Sequence, residues 1–489
     1  MRTTAKNTLA FLAGVAIAPA ATAAAVSAAT ATAAAPTISD NTKPPNIVII
    51  LADDLGYADT SFTGSKDIRT PNLQRLADTG VRLDRFYACP ICSPTRAGLM
   101  TGRWPIRYGL MRAVIPPWSA FGLPETEKLL PELLASAGYE RRAIVGKWHL
   151  GHDRRAFLPA QRGFTTFHGH YNGAIDYFTH EREKQTDWHR DTPDTFRPVR
   201  ESGYSTDLLA ASAVRFIRQS PVGKPYLLYA AFNAPHGPLQ AKPADLARYG
   251  ELKAKRKTYA AMIDSLDQAI GKILAAVEKR ADAGNTLILF FSDNGGVLPY
   301  SRNTPYREGK LTVYEGGIRV CAAIRWPAAG LAGGRASAAH LGYIDVLPTL
   351  LRAANAPLPA GSRALDGIDM LPILQDKTPA PVRPWYSYLD QSEKKPSASV
   401  IEGDWKLIAL DGDVFAATPG KQTRYELYNL ARDPSEKNNL AARQPDHVAR
   451  LQTRLAEFGR LQPKGMTVPR YSEGRDGFTA PKNWFVEKD

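Results

Sequence analysis

Unbroken apolar runs recur at four separated places in the chain: Ile47–Ala52, Ala143–Val145, Tyr226–Phe232 and Thr286–Ser292. They are rich in β-branched and aromatic residues and do not alternate with polar ones, as in strands buried on both faces of a parallel sheet. Amphipathic stretches lie between them. Leu73, Leu76 and Ala77 share a helical face after Thr70-Pro71, which suit the N-cap and first helical position. The segment from Cys92 opens another helix, Leu129 to Gly138 reads as a helix ended by glycine, and Asp207 to Gln219 has helical spacing. Ile263, Leu266, Ile270, Ile273 and Val277 keep a helical period through Ala261–Lys279. Strands alternating with helices predict the α/β class: a large mixed, mainly parallel sheet sandwiched by helices.

The pattern changes after about residue 375. Trp385–Leu389, Asp404–Ile408 and Tyr425–Leu430 are short runs expected to form a small antiparallel sheet. A helix over Asp446–Leu461 follows, and the tail from Gln462 is expected to run extended over the surface. From about 152 to 200 a long polar and aromatic insertion is of the kind that carries binding function. Its histidines, His152, His168, His170 and His180, are too irregularly spaced to argue for a metal site.

At the other end, Arg2 and Lys6 precede the apolar run Leu9–Ala18 and an alanine-rich stretch, with no acid before Asp40. This reads as a secretory signal peptide and spacer over 1–39, which predicts a periplasmic or secreted protein. A main domain over 40–375 and a C-terminal subdomain over 376–489 are expected. No later stretch is long and apolar enough to cross a bilayer.

Composition narrows the reading only slightly. A chain of 489 residues with 44% hydrophobic and 22% charged residues excludes general disorder. The formal charge is +14, or +12 once Arg2 and Lys6 are removed (14 − 2). A basic surface could steer anionic substrates, and general basicity explains it equally well. No nucleic-acid motif accompanies it. The three cysteines, Cys89, Cys92 and Cys321, are too few for a disulfide scaffold. A lone Cys89-x-x-Cys92 is weak support for structural zinc. Cys89 and Cys321 could pair or stay free.

The chemistry sits where strands stop. Asp53-Asp54, Lys147 with His149, His236, and Asp293-Asn294 each follow an apolar run. Open α/β sheets bind ligands at the carboxyl ends of their strands. Lys147 and His149, two apart, share one face if the chain there is extended. Asp53, Asp54, Asp293 and Asn294 offer hard oxygens, which suit Ca²⁺ and, less well, Mg²⁺. Lys310 precedes Glu315-Gly316-Gly317, where glycines permit close backbone approach. Cys92 lies four residues before Arg96, whose charge is expected to favour the thiolate. A cation site, fixed positive charge, two histidines and a nucleophile suit cleavage of an anionic ester.

Cys92-Ser93-Pro94-Thr95-Arg96 through Thr101-Gly102-Arg103 resembles the C-x-P-x-R-x-x-x-x-T-G-R motif of type I sulfatases, in the alkaline phosphatase-like superfamily. The wording of Gly146–Gly151, Asp176–Arg182 and Pro235–Gln240 is most similar to the arylsulfatase B (N-acetylgalactosamine-4-sulfatase) branch. The resemblance implies hydrolysis of aryl or carbohydrate sulfate esters through a covalent sulfate intermediate. It implies that a formylglycine-generating maturation enzyme oxidises Cys92 to formylglycine, and that Asp53, Asp54, Asp293, Asn294 and the modified Cys92 ligate Ca²⁺. It gives Arg96 to the aldehyde hydrate and Lys147 and Lys310 to the sulfate oxygens. His236 would protonate the leaving alcohol, and His149 would assist breakdown of the intermediate. A hydroxyl that some members supply after Gly163 stays unassigned among His168, His170, Tyr171 and Asn172. Two alternatives stand beside this reading. One is a phosphodiesterase or phosphonate monoester hydrolase on the same fold, which needs further Asp and His ligands. The other is a non-catalytic, calcium-dependent glycan-binding protein, which needs no proton donors at strand ends.

Overall fold

The computed structural model describes residues 43–391, 395–417 and 422–487; the expected signal peptide lies outside them. A nine-stranded sheet organises the chain. Its spatial order is Arg335–Ser337, Val81–Leu83, Ala322–Arg325, Thr286–Ser292, Asn46–Ala52, Tyr226–Ala231, Arg141–Lys147, Thr166–His170 and His189–Asp191. The five strands from Thr286–Ser292 to Thr166–His170 are mutually parallel. Antiparallel pairings flank this block on both sides.

The unbroken apolar runs are explained by burial on two faces. Along the central strand Ile47, Ile49 and Leu51 enter one hydrophobic cluster, while Val48, Ile50 and Ala52 enter the other. Helices Pro71–Thr79, Ser205–Gln219 and Ala254–Glu278 cover the second face. Helices Cys92–Thr101, Leu130–Ala135 and Val346–Ala353 cover the first. Thr70 does sit at the N-cap of Pro71–Thr79, but its hydroxyl accepts the Ser61 N–H at 2.7 Å. Asp267 caps that helix from outside, accepting the N–H groups of Asn72 (3.1 Å) and Leu73 (2.8 Å). A partner distant in sequence has replaced the local cap.

The C-terminal sheet has four strands, Trp385–Leu389, Ser397–Glu402, Trp405–Leu410 and Arg424–Asn429, all antiparallel. Helix Pro445–Gly459 packs on it. Trp385 stacks its edge on Trp104 at 4.9 Å, so this sheet shares the first face's core. Lys406 ties it to the short helix Glu315–Ile318, its fully buried ammonium 3.0 Å from Glu315 and 2.8 Å from Glu436. Tyr87 donates its hydroxyl to Glu315 at 2.9 Å. Removing the cation would leave two buried acids facing each other. Lys406→Ala is therefore expected to cost roughly 3–5 kcal/mol of stability, read from urea unfolding. A loss under ~1 kcal/mol would show that this network does not hold the small sheet to that helix.

Candidate active site

Parallel register brings the acids together. Ala52 pairs with Ser292, so Asp53 and Asp293 leave adjacent strand ends side by side. The Asp54 N–H donates to Asp293 Oδ1 at 3.2 Å, and Asn294 Nδ2 donates to Asp54 Oδ1 at 2.8 Å. Lys147 ends its strand two places away, and its Nζ lies 2.6 Å from Asp53 Oδ2. His236 sits in the loop after Tyr226–Ala231, with Nε2 3.6 Å from Asp54 Oδ2. Tyr177 holds that loop by donating its hydroxyl to the carbonyls of Asn233 (2.7 Å) and His236 (2.8 Å).

Helix Cys92–Thr101 delivers two groups from one face, because positions four apart lie one above the other. Cys92 Sγ is 3.5 Å from Asp53 Oδ1 and 3.4 Å from Lys310 Nζ. Arg96 donates through Nε and Nη2 to Asp293 Oδ2 at 3.1 and 2.8 Å, and through Nη1 to the Lys147 carbonyl at 3.2 Å. The helix can lie this deep because Gly98 has no side chain; a Cβ there would fall 2.1 Å from the Tyr343 ring. On the facing wall Lys310 Nζ reaches Asp54 Oδ1 at 2.6 Å. Its loop fits closely because Gly295 and Gly316 meet backbone to backbone; a Cβ on Gly295 would lie 1.8 Å from the Gly316 carbonyl oxygen. All the predicted site residues thus converge, and a pocket of about 460 Å³ opens over Cys92, His149, His236 and Lys310.

The electrostatics differ from the sequence expectation at Cys92. Burial pushes the Cys92 thiol up to about 12, and Asp53 and Asp293 add to the rise. Lys147 and Lys310 pull it down without prevailing. Arg96 does not yield a thiolate, because its charge is engaged by Asp293 and by Asp53 at 3.6 Å. Nor do the three carboxylates face one another bare: Arg96, Lys147 and Lys310 each take one. Burial raises Asp293 to about 7, helped by Asp53 beside it. Burial also disfavours charge on Asp53, but Lys147 with other nearby cations overcomes it and holds that carboxyl well below its usual range.

His149 departs from the expected extended geometry. Its φ is +59°, so Lys147 and His149 do not share a strand face. Its Nε2 lies 3.0 Å from the Ile115 carbonyl, leaving Nδ1 buried without a protein partner. Burial, then Lys147 and Arg96, hold its pKa well below the ordinary value. Gly173 makes room for the ring, since a Cβ there would lie 2.5 Å from His149 Cε1. The unassigned quartet does not line the pocket. His168 pairs with Glu201, His170 with the Asn172 carbonyl, Tyr171 with Asp191 and Asn172 with Asp187. Gly173 and Ala174 line the pocket in their place.

Among the pocket residues that sequence reasoning gave no role are Arg182, Gln391 and Tyr471. They come from a short hairpin, the end of a strand and the C-terminal tail. Arg182 ends the motif stretch Asp176–Arg182 without a role assigned to it, and no periodicity or motif marks the other two. The tail does not simply run over the surface; Tyr471 N–H donates to the Gln391 carbonyl at 3.1 Å, and Val468 and Trp484 are buried. The three cysteines are all free and buried, which leaves Cys89 and Cys321 unpaired to each other.

The acids also fit a hard cation, although the sulfur and the imidazole nitrogen beside them do not. Asp53, Asp54, Cys92 and His236 present ligand atoms within 4.8 Å of one another, the one such group of three or more among the described residues. Buried Asn294 Oδ1 beside them has no protein partner. A carboxylate-rich set completed by an orphaned amide oxygen matches what Ca²⁺ takes.

A mainly parallel α/β fold that gathers acids, cations and a helix-borne cysteine at its strand ends is that of the alkaline phosphatase-like superfamily. Comparison with known proteins assigns the family. The sulfatase domain model matches residues 45–356, and the C-terminal model of N-sulphoglucosamine sulphohydrolase matches 308–460. N-acetylgalactosamine-6-sulfatase of Sus scrofa is 36% identical over 354 residues, 68% of this chain and 66% of that protein. Arylsulfatase J of Mus musculus is 30% identical over 468 residues, 86% of this chain and 76% of that one. The crystal structure of Ps i-CgsB in complex with k-i-k-neocarrahexaose superposes with a TM-score of 0.77 at 31% identity, covering 86% of this chain and 94% of the other. The chain belongs to the sulfatase family, and its Cys92–Arg103 segment is similar to the type I motif. The alignment takes in slightly less than two thirds of the first of these relatives, and the relatives carry different substrate names.

Proposed function

We propose that this protein hydrolyses sulfate esters of carbohydrates, with Cys92 oxidised to formylglycine as nucleophile and a Ca²⁺ ion held by Asp53, Asp54, Asp293 and Asn294. The carrying observation is the convergence on Cys92 Sγ of Lys310 at 3.4 Å and Asp53 at 3.5 Å, from positions far apart in sequence. Oxidised to the aldehyde and hydrated, position 92 would supply two hydroxyls, one able to act as nucleophile and one able to lose a proton for release of sulfate. Bound Ca²⁺ supplies positive charge to sulfate oxygens and to the nucleophile. Arg96 orients the group at position 92, because its guanidinium is fixed by Asp293 and cannot swing away. Lys147 and Lys310 bind sulfate oxygens, exchanging carboxylate partners for the substrate. His149 takes part through Nδ1, the ring nitrogen left free, as the base for the remaining hydroxyl.

His236 is the proton donor to the leaving alcohol. Its Nδ1 donates to the Gly237 carbonyl at 2.6 Å, so the proton given to the alcohol is the second one of the imidazolium form, on Nε2, which stands 3.6 Å from Asp54. His236→Ala is expected to slow esters of poorly leaving alcohols by ~10²–10⁴-fold and activated aryl sulfates much less. Kinetics across a leaving-group series measure this, and equal losses throughout would remove His236 from the role.

Cys92 is only 1% exposed, and its whole helix is buried. A maturation enzyme must therefore meet the segment Cys92–Arg96 before the helix packs. No helix among the described residues is long and apolar enough to cross a membrane. The phosphodiesterase reading gains no second acidic cluster among the described residues. The deciding experiment combines the mass of the Cys92 peptide with a panel of sulfate, phosphate and phosphonate esters. Turnover of phosphate esters without sulfate esters would overturn the proposal.

A further inference from the structure

His236 stands on neither a strand nor a helix. Its loop runs from the end of Tyr226–Ala231 to the short helix Pro243–Leu246. Within that loop the turn Asn233–His236 is closed by one main-chain bond, from the His236 N–H to the Asn233 carbonyl at 2.9 Å. A general acid has to meet its alcohol within hydrogen-bond reach, and a displacement of about 1 Å can cost ~10²-fold in rate. The placement of His236 therefore has to come from outside its own loop.

It comes from Asp176 and Tyr177, far earlier in the chain. The Tyr177 hydroxyl is shared between the carbonyls of Asn233 and His236, at 2.7 and 2.8 Å, the two ends of that turn. Tyr177 is 1% exposed and its ring stacks on Tyr204 at 5.3 Å, which fixes where the hydroxyl sits. The far end of the loop is tied to the same place. The Tyr177 N–H donates to Gln240 Oε1 at 2.8 Å, and Gln240 Nε2 donates to Asp176 Oδ2 at 2.5 Å. Asp176 Oδ1 accepts the N–H groups of Phe178 (2.9 Å) and Thr179 (2.8 Å). Burial works against charge on this carboxyl, but Thr179, Gln240 and Phe178 outweigh it and hold the group below its ordinary value. The Tyr204 hydroxyl donates to the Gln240 carbonyl at 2.8 Å. The loop is thus fastened before His236, at His236 and after it. Asp176, Tyr177 and Gln240 do not line the active-site pocket, so their route to the reaction runs through the loop that carries His236.

We infer that Asp176, Tyr177 and Gln240 are positioning residues that aim His236 Nε2 at the leaving alcohol. The inference rests on the proposed role of His236 in sulfate ester hydrolysis, and the test separates the two.

Sulfate release is measured from 4-nitrophenyl, phenyl and cyclohexyl sulfate, esters of similar shape whose alcohols leave progressively worse. Tyr177→Phe keeps the stacked ring and removes the hydroxyl. Gln240→Glu sets two carboxylates face to face, and Asp176→Asn sets two amide N–H groups face to face. Asp176→Asn combined with Gln240→Glu restores the bond in the reverse sense, and the new amide oxygen at 176 can still accept from Phe178 and Thr179. Each single variant should lose about 10–100-fold of kcat/KM on cyclohexyl sulfate and under about 3-fold on 4-nitrophenyl sulfate, and the combined variant should return to within about 3-fold of wild type. In a His236→Ala background Tyr177→Phe should cost nothing further, because the group it places is gone. Equal losses along the series, a Tyr177→Phe loss that persists without His236, or a combined variant no better than its parents would overturn the inference.

A second readout needs no turnover. The His236 Cε1–H resonance, identified by its loss in His236→Ala, should move in each single variant and return in the combined one. If wild type carrying modified Cys92 releases sulfate from none of the esters, the hydrolysis reading fails, and this resonance decides the positioning. Movement and return uphold it, and an unmoved resonance overturns it.

Discussion

Protein in which Cys92 is replaced by alanine should release no sulfate, and Cys92→Ser should attack once and stall as a covalent sulfate ester. The difference follows from the exit available to each group. A thiolate attacking sulfur would leave a thiosulfate ester, and a serine alkoxide would leave an alkyl sulfate; neither has a neighbouring hydroxyl to expel sulfate. An aldehyde hydrate has one. Covalent catalysis helps only if the second step is as easy as the first. The unmodified thiol is a poor nucleophile here for a separate reason: burial pushes its pKa up to about 12, so at neutral pH it holds its proton. Protein made without a maturation enzyme should fold, because Cys92 packs as a small buried side chain, and should turn over very little. Specific activity should rise in proportion to the fraction of Cys92 peptide carrying the aldehyde mass. Full turnover by protein with only unmodified Cys92 would end this account.

Much of the framework was legible in the sequence because burial on two faces leaves a distinctive mark. The strand Thr286–Ser292 is as the apolar run drew it, and the acids behind it and behind Asn46–Ala52 meet because register is inherited from those runs. Other parts were hidden for physical reasons. Ser397–Glu402 is a buried strand of the small sheet, but Ser397-Ala398-Ser399 carries no hydrophobic signal; its neighbours supply the burial. The long helix begins at Ala254, not Ala261, because its first turn is held by ion pairs: Arg256 reaches Asp59 and Asp67, each at 2.7 Å. The conformation of His149 and the engagement of Arg96 depend on contacts across the fold, which spacing cannot encode. The same holds for Arg182, Gln391 and Tyr471, which meet only after three distant segments have packed.

Asp293→Ala is expected to damage both stability and activity, whereas chelation should remove activity and leave the fold standing. Arg96 has no exposed surface, and its two shortest hydrogen bonds end on Asp293. Deleting that carboxylate leaves a buried guanidinium with Asp53 at 3.6 Å and one backbone carbonyl, a change worth roughly 3–5 kcal/mol. Metal loss is different. Lys147 lies 2.6 Å from Asp53, Lys310 lies 2.6 Å from Asp54, and Arg96 neutralises Asp293, so the acids keep partners without the ion. The lysines needed for sulfate would then be drawn back onto carboxylates, and turnover should cease. Restoring Ca²⁺ at about 100 times its dissociation constant should stabilise the protein by ~2.7 kcal/mol, visible as a higher melting temperature. Asn294→Ala removes one neutral oxygen and no charge, so it should weaken metal binding with little effect on chelated protein. Rates, melting temperatures and metal content per chain, taken before and after chelation, separate these outcomes. Undiminished turnover by protein shown to carry no metal would rule out a required cation, and an Asp293→Ala protein as stable as wild type would show that Arg96 finds another partner.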